Sequence, residues 1–148
     1  MDVEEQGPID LIRLVDSYDD KRVVVRVTGR DATGDPEILV GEISVHTKFA
    51  SGALQTWIFP ADLAAWETTL DSLAQGENAT WRKGKRAPEL HVEVAAPDLH
   101  EEQIRVSVAD RMMSMTTVRA LIEPSDGWVE DQRARLDRVR QAWPQPEA

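Results

Sequence analysis

The chain of 148 residues contains no cysteine. That excludes a disulfide framework, a thiolate zinc site and a cysteine nucleophile, and it fits a reducing compartment. Aromatic residues are scarce, and they are oddly chosen: five tryptophans against one tyrosine and two phenylalanines. Positive charge is in deficit, with 17 Lys and Arg against 27 Asp and Glu and a formal net charge of −10. The mean field of such a chain repels a polyanion and attracts a basic protein, so no nucleic-acid partner is expected. Long apolar runs are missing too. None approaches the roughly 18 residues of a membrane-spanning helix, so no membrane role is expected. The opening "MDVEEQGPID" lacks the positive start and apolar stretch of a secretory signal. The expectation is a soluble, cytoplasmic protein.

Motifs that carry chemistry are also lacking. There is no GxGxxG, no GxxxxGK[ST] and no nucleophile elbow. The histidines are His46, His91 and His100. Two fall at outward positions of different expected strands and the third in an acidic loop, whereas a metal needs three or four convergent ligands. The chain is therefore expected to hold no metal and no cofactor and to catalyse nothing.

What is present describes a folded domain. The composition is 41% apolar and 30% charged, and the length suits one domain with its own core. Residues 1–8 are expected to form a flexible terminus, 9–143 the domain and 144–148 a tail. "IDLIRLVDS" reads as a first strand with Ile9, Leu11 and Val15 on one face. "VVVRVTG" is the plainest strand, with Val23, Val25 and Val27 inward. "EILVGEISVHTKF" places Ile43, Val45, Thr47 and Phe49 together, with Gly41 a candidate bulge. In "ASGALQTWIF", Leu54, Thr56 and Ile58 take one face and Trp57 and Phe59 the other, which predicts a strand that is central or covered on both sides.

The period then lengthens. Leu63, Trp66, Leu70 and Leu73 recur at offsets of three and four, which predicts an amphipathic helix. Pro60 suits its first turn, Asp62 its positive end and Gly76 its stop. Short alternating runs return in "ATWRK", "ELHVEVA", "IRVSVA" and "SMTTVRALIE". A closing helix carries Trp128, Gln132, Leu136, Val139 and Trp143 in one stripe, capped by Ser125 or Asp126 and ended by Pro144. The expected fold is α+β: a mostly antiparallel sheet of about seven or eight strands, with one central and one C-terminal helix packed on it. The two halves look alike in outline.

"IDLIRLVDS…VVVRVTGR", "WIFPADLAAWETTLDSLAQGENATW" and "TTVRALIEPSDGWVEDQRARLDRVRQAWP" together resemble an uncharacterised domain-of-unknown-function family of short acidic bacterial proteins. The layout is also similar to immunity proteins paired with wall-associated toxins, in which a helix of the form L..W...L..L lies between runs of strands and a last helix ends near Trp-Pro. That resemblance implies a role in binding a protein partner and carries no functional residue with it.

Three function classes remain open. The first is a protein-binding domain, of the immunity kind that the resemblance implies, that occupies a basic partner. Residues 1–20 hold seven acids against Arg13 alone, and Asp16, Asp19 and Asp20 beside a turn are the candidate contacts. Trp81 and Trp143, near element ends, are candidate half-exposed anchors. The second is a small-molecule binder with polar groups among inward positions, of which Thr56 is one. The third is a self-associating component, monomer or homodimer, pairing through an edge such as "IRVSVA". Arg82, Lys83, Lys85 and Arg86 crowd "TWRKGKRAP", which reads as a solvated hairpin loop. The methionines of "MMSM" read as core filler.

Overall fold

The computed structural model describes residues 6–144, so the ends of the expected flexible terminus and tail (1–5 and 145–148) lie outside the described residues. Strands β1 (Ile9–Val15), β2 (Arg22–Arg30), β3 (Leu39–His46) and β4 (Ser51–Ile58) precede helix α1 (Pro60–Ala74). Strands β5 (Ala79–Trp81), β6 (Glu89–Glu93), β7 (Ile104–Asp110) and β8 (Thr116–Ile122) precede helix α2 (Trp128–Ala142). The fold is α+β and antiparallel, but the strands divide into two four-stranded sheets, ordered β1-β2-β3-β4 and β5-β6-β7-β8. The single expected sheet is thus replaced by two meanders, each followed by a helix. Short turns make each strand pair with its sequence neighbour, and α1 interrupts that run after β4. Among the described residues no helix is long and apolar enough to cross a membrane.

One core serves both halves. Val23, Val25 and Val27 of β2 meet Leu63, Trp66 and Leu70 of α1, Leu90 and Val92 of β6, and Leu136 and Val139 of α2 in a single buried cluster. Helix α2 lies along β1, α1 along β5, and the helices touch each other. On that seam Arg133 reaches Asp71 at 3.1 Å and Arg140 reaches Glu67 at 2.5 Å. Such exposed pairs orient more than they stabilise. Gln132 is a polar member of the inward stripe. Its Oε1 accepts from the Arg13 N–H at 2.8 Å, and its Nε2 donates to the Arg13 carbonyl at 2.9 Å. The side-chain amide thereby stands in for a neighbouring strand at the free edge of β1.

Local irregularities correct several expectations. A bulge between Asp10 and Ile12 shifts the β1 register, so Leu11, Ile12 and Leu14 are buried in place of a simple alternation. The second bulge falls in β2 between Val27 and Gly29, opposite Gly41 rather than at it. Gly41 is needed for a different reason. A Cβ there would run into the Arg26 carbonyl oxygen. Neither Ser125 nor Asp126 caps α2; Gly127 does, with φ of 76°, a left-handed turn open to glycine. At α1 the expected features hold, and Asp62 does more than face the dipole: its Oδ2 accepts from the Phe59 N–H at 2.9 Å.

Exposure departs from the pattern at four places. Strand β4 is an edge strand and is not covered on both faces. "IRVSVA" is β7, an interior strand, so it offers no free edge. Phe49 sits exposed in the β3–β4 turn, beyond the strand whose parity it shares. Met112, Met113 and Met115 stand in solvent at the β7–β8 connection and fill no core.

Candidate functional site: an apolar cleft over a buried arginine

The residues singled out for a basic partner are not equivalent. Asp16 is buried and fully engaged. It accepts from the N–H groups of Tyr18 at 3.0 Å, Asp19 at 2.7 Å and Glu123 at 2.6 Å. Burial pushes its carboxyl up, but those N–H groups and the Lys21 charge outweigh it and hold the pKa below the ordinary value. Asp16 therefore closes the β1–β2 turn and ties it to the end of β8. Asp19 and Asp20 remain exposed, with Asp20 paired to Arg22 at 2.6 Å and His46 at 3.0 Å. Close by, a polar cleft of about 750 Å³ is lined by Tyr18, Glu101, Glu102, Glu123, Asp126 and Glu130 among others.

Trp81 and Trp143 are buried, not half-exposed. Trp81 packs edge-to-face on Trp66, with ring centroids 5.8 Å apart, and its indole N–H donates to the Asp62 carbonyl at 2.8 Å. A three-residue strand at a sheet edge offers such a ring only the core. Neither indole presents a surface anchor.

Arg82 follows, and the solvated-hairpin reading holds for exposed Lys83, Lys85 and Arg86 but fails at Arg82. The chain turns at Arg82 with φ of 63°, the left-handed region that a side chain rarely adopts. That turn folds the guanidinium back over the Trp81 ring, 4.3 Å from its centroid. Arg82 is only 3% exposed. Its Nη1 donates to the Trp57 carbonyl of β4 and its Nε to the Pro88 carbonyl, both at 3.2 Å. The arginine thus joins the outer strand of one sheet to the hairpin loop of the other. Its third nitrogen, Nη2, has no partner. Burial pulls its pKa down to about 10, and the Asp62 charge offsets part of that.

Above this arginine lies a cleft of about 900 Å³. Three segments wall it with large apolar groups: Leu54, Trp57 and Phe59 from β4 and its end, Pro88 from the hairpin loop, and Met112 and Met113 from the β7–β8 connection. Trp57 and Phe59 are 46% and 48% exposed. Thr56 also lines the cleft, buried, with an unpartnered hydroxyl. Lys85 and Arg86 add positive charge, while Asp62 and Asp110 are the acids present. Both acids are occupied: Asp62 holds the Phe59 N–H, and Asp110 accepts from the Ser114 N–H at 3.1 Å and hydroxyl at 2.7 Å. Thr56 was legible as an inward polar group. Arg82 was hidden in a charge run, and its one signal is the tryptophan before it.

The histidines do not converge. His46 lies on the first sheet beside Asp20, and His91 on the second beside the Thr80 hydroxyl at 2.6 Å. Among the described residues no group of three or more His, Asp or Glu is placed to hold a metal.

Two antiparallel meanders around one core, with an apolar cleft over a buried cation, define a class of small α+β domain with a formed ligand-sized recess. The chain belongs to a family of unknown function, DUF5959, whose model matches residues 9–144. Neither a curated protein nor a solved structure matches it.

Proposed function

We propose that the protein is a binding protein and that the cleft above Arg82 receives a largely apolar ligand. The observation that carries this reading is the gathering of exposed Trp57, Phe59, Met112 and Met113, from separate segments, around one recess of about 900 Å³. Recesses of roughly 300–1,000 Å³ with apolar walls and few polar groups suit small ligands. Large apolar groups in water are a cost to solubility that an unused surface has no reason to bear. Calorimetric titration with octanol tests the reading. Binding with a negative heat-capacity change is expected, and the double variant Trp57→Ser, Phe59→Ser loses it. Octanol binding that survives the double variant overturns the assignment of the site.

A second reading keeps the protein partner. The cleft lined by Tyr18, Glu101, Glu102, Glu123, Asp126 and Glu130 carries several carboxylates, and Asp19 and Asp20 stand exposed on the turn that bears Tyr18; together they suit a basic surface, as an immunity-like inhibitor in the cytoplasm would need. Association that weakens as salt rises, and is lost when Asp19 and Asp20 become lysine, supports it.

A further inference from the structure

We propose that the ligand of the cleft carries a carboxylate at one end of its apolar body and that Arg82 receives it. The inference rests on the binding reading above and names the chemistry of the ligand. Arg82 pays for its position in three ways that its role as a tie between β4 and the hairpin loop leaves unexplained. Its backbone is held at φ of 63°. Its guanidinium lies within the protein with only neutral carbonyl oxygens as hydrogen-bond acceptors. Its Nη2 is without a partner, and buried N–H groups of an arginine are ordinarily satisfied. A lysine, a glutamine or an apolar side chain avoids part of this cost. An arginine is worth it where a planar anion completes the fork.

The rest of the lining fits the same occupant. The hydroxyl of Thr56 is a second unpartnered group in the same recess. Lys85 and Arg86 give the mouth positive charge against a chain of net charge −10. The two acids in the lining are turned to Phe59 and Ser114 and leave Arg82 without an ion pair among the described residues. A carboxylate brings one negative charge, which one guanidinium neutralises. A phosphate monoester brings nearly two and asks for more donors than the lining supplies. Leu54, Trp57, Phe59, Met112 and Met113 then cover the apolar body. Arg82 is only 3% exposed, so a carboxylate reaches it only if side chains at the rim move aside.

Three probes with one tail separate the forces: octanoate, octanol and octylammonium, each titrated into the full chain below its micellar concentration. Apolar walls alone favour the alcohol, because water holds octanoate more strongly. The field of the acidic chain alone favours the ammonium. Only a receiving cation favours the carboxylate. Octanoate is expected to bind about tenfold or more tightly than octanol, as a hydrogen bond to a charged group provides. Arg82→Met removes that preference and keeps octanol binding, while Lys85→Ser with Arg86→Ser reduces it only in part. Should Arg82→Met fail to fold, the three probes on the unmodified protein decide. Octanol binding as tightly as octanoate overturns the carboxylate and leaves the apolar cleft standing. A preference that vanishes with the rim lysine and arginine but survives Arg82→Met overturns the role of Arg82. No binding by any probe overturns both readings.

Discussion

Replacing Gln132 by leucine tests how the C-terminal helix is held. Gln132 is 1% exposed, and its amide makes both a donor and an acceptor contact with the backbone of Arg13. Leucine matches the helical stripe around it, so a pattern-based reading expects the change to be neutral or stabilising. The structure says otherwise. Removing the amide leaves one N–H and one C=O of the β1 edge facing an apolar side chain. Each such group costs about 1–3 kcal/mol when it loses its partner, and the Arg13 backbone is only partly shielded, so the lower half of that range applies. The apolar gain of the leucine offsets some of the sum. The expected net loss is about 1–3 kcal/mol, or roughly 3–10 °C in Tm for a chain of this size. Urea unfolding followed by far-UV circular dichroism measures it. A companion variant, Gln132→Glu, restores the two-way contact only when its carboxyl is protonated. That carboxyl has its pKa raised by folding, so the variant gains stability as pH falls. A leucine variant within about 0.5 kcal/mol of the unmodified protein refutes the account of this contact.

Two further changes follow from the same geometry. The Asp16 Oδ2 accepts from Tyr18 and Asp19 and its Oδ1 from Glu123, so Asp16→Asn turns one of these two acceptors into a donor, removes the charge, and is expected to cost about 1–3 kcal/mol at neutral pH. The folded pKa of Asp16 lies below the ordinary 3.8, so its contribution is complete above that value and is lost as pH falls through the folded one. The variant's stability should therefore be flatter in acid, which acid titration of the circular dichroism signal reads; an unchanged acid limb contradicts the assignment. Gly41→Ala forces a methyl group against the Arg26 carbonyl of the adjoining strand. A loss of about 1–3 kcal/mol in urea is expected, and a neutral result contradicts the close approach.

Much of the fold was legible because period is local. Leu63, Trp66, Leu70 and Leu73 announced α1, and Val23, Val25 and Val27 announced β2. The division into two sheets was not legible, because nothing in a strand's own residues says which edge stays open. That gap produced the misreading of β4. Trp57 and Phe59 opposite Leu54 and Ile58 look like a strand buried on both faces. They belong to an edge strand whose outer side walls a cleft. The exposed methionines were misread for the same reason: an apolar run is ordinarily core, and a binding surface departs from that rule. Asp16 and Arg82 both depart from solvent-facing expectations by being buried. Each is drawn inward by partners distant in sequence, Glu123 for the acid and Trp57 for the base.

The central claim is that the cleft over Arg82 is where this protein meets its ligand. The most direct measurement is a residue-by-residue map of amide and indole N–H chemical shifts as octanol is added to the isotopically labelled chain. The account predicts shifts that saturate together at Leu54, Trp57, Phe59, Met112 and Met113, with the Trp57 indole moving and that of Trp128, on α2, unmoved. Shifts that cluster instead around Tyr18, Glu102 and Asp126, or that scatter without saturating, contradict it.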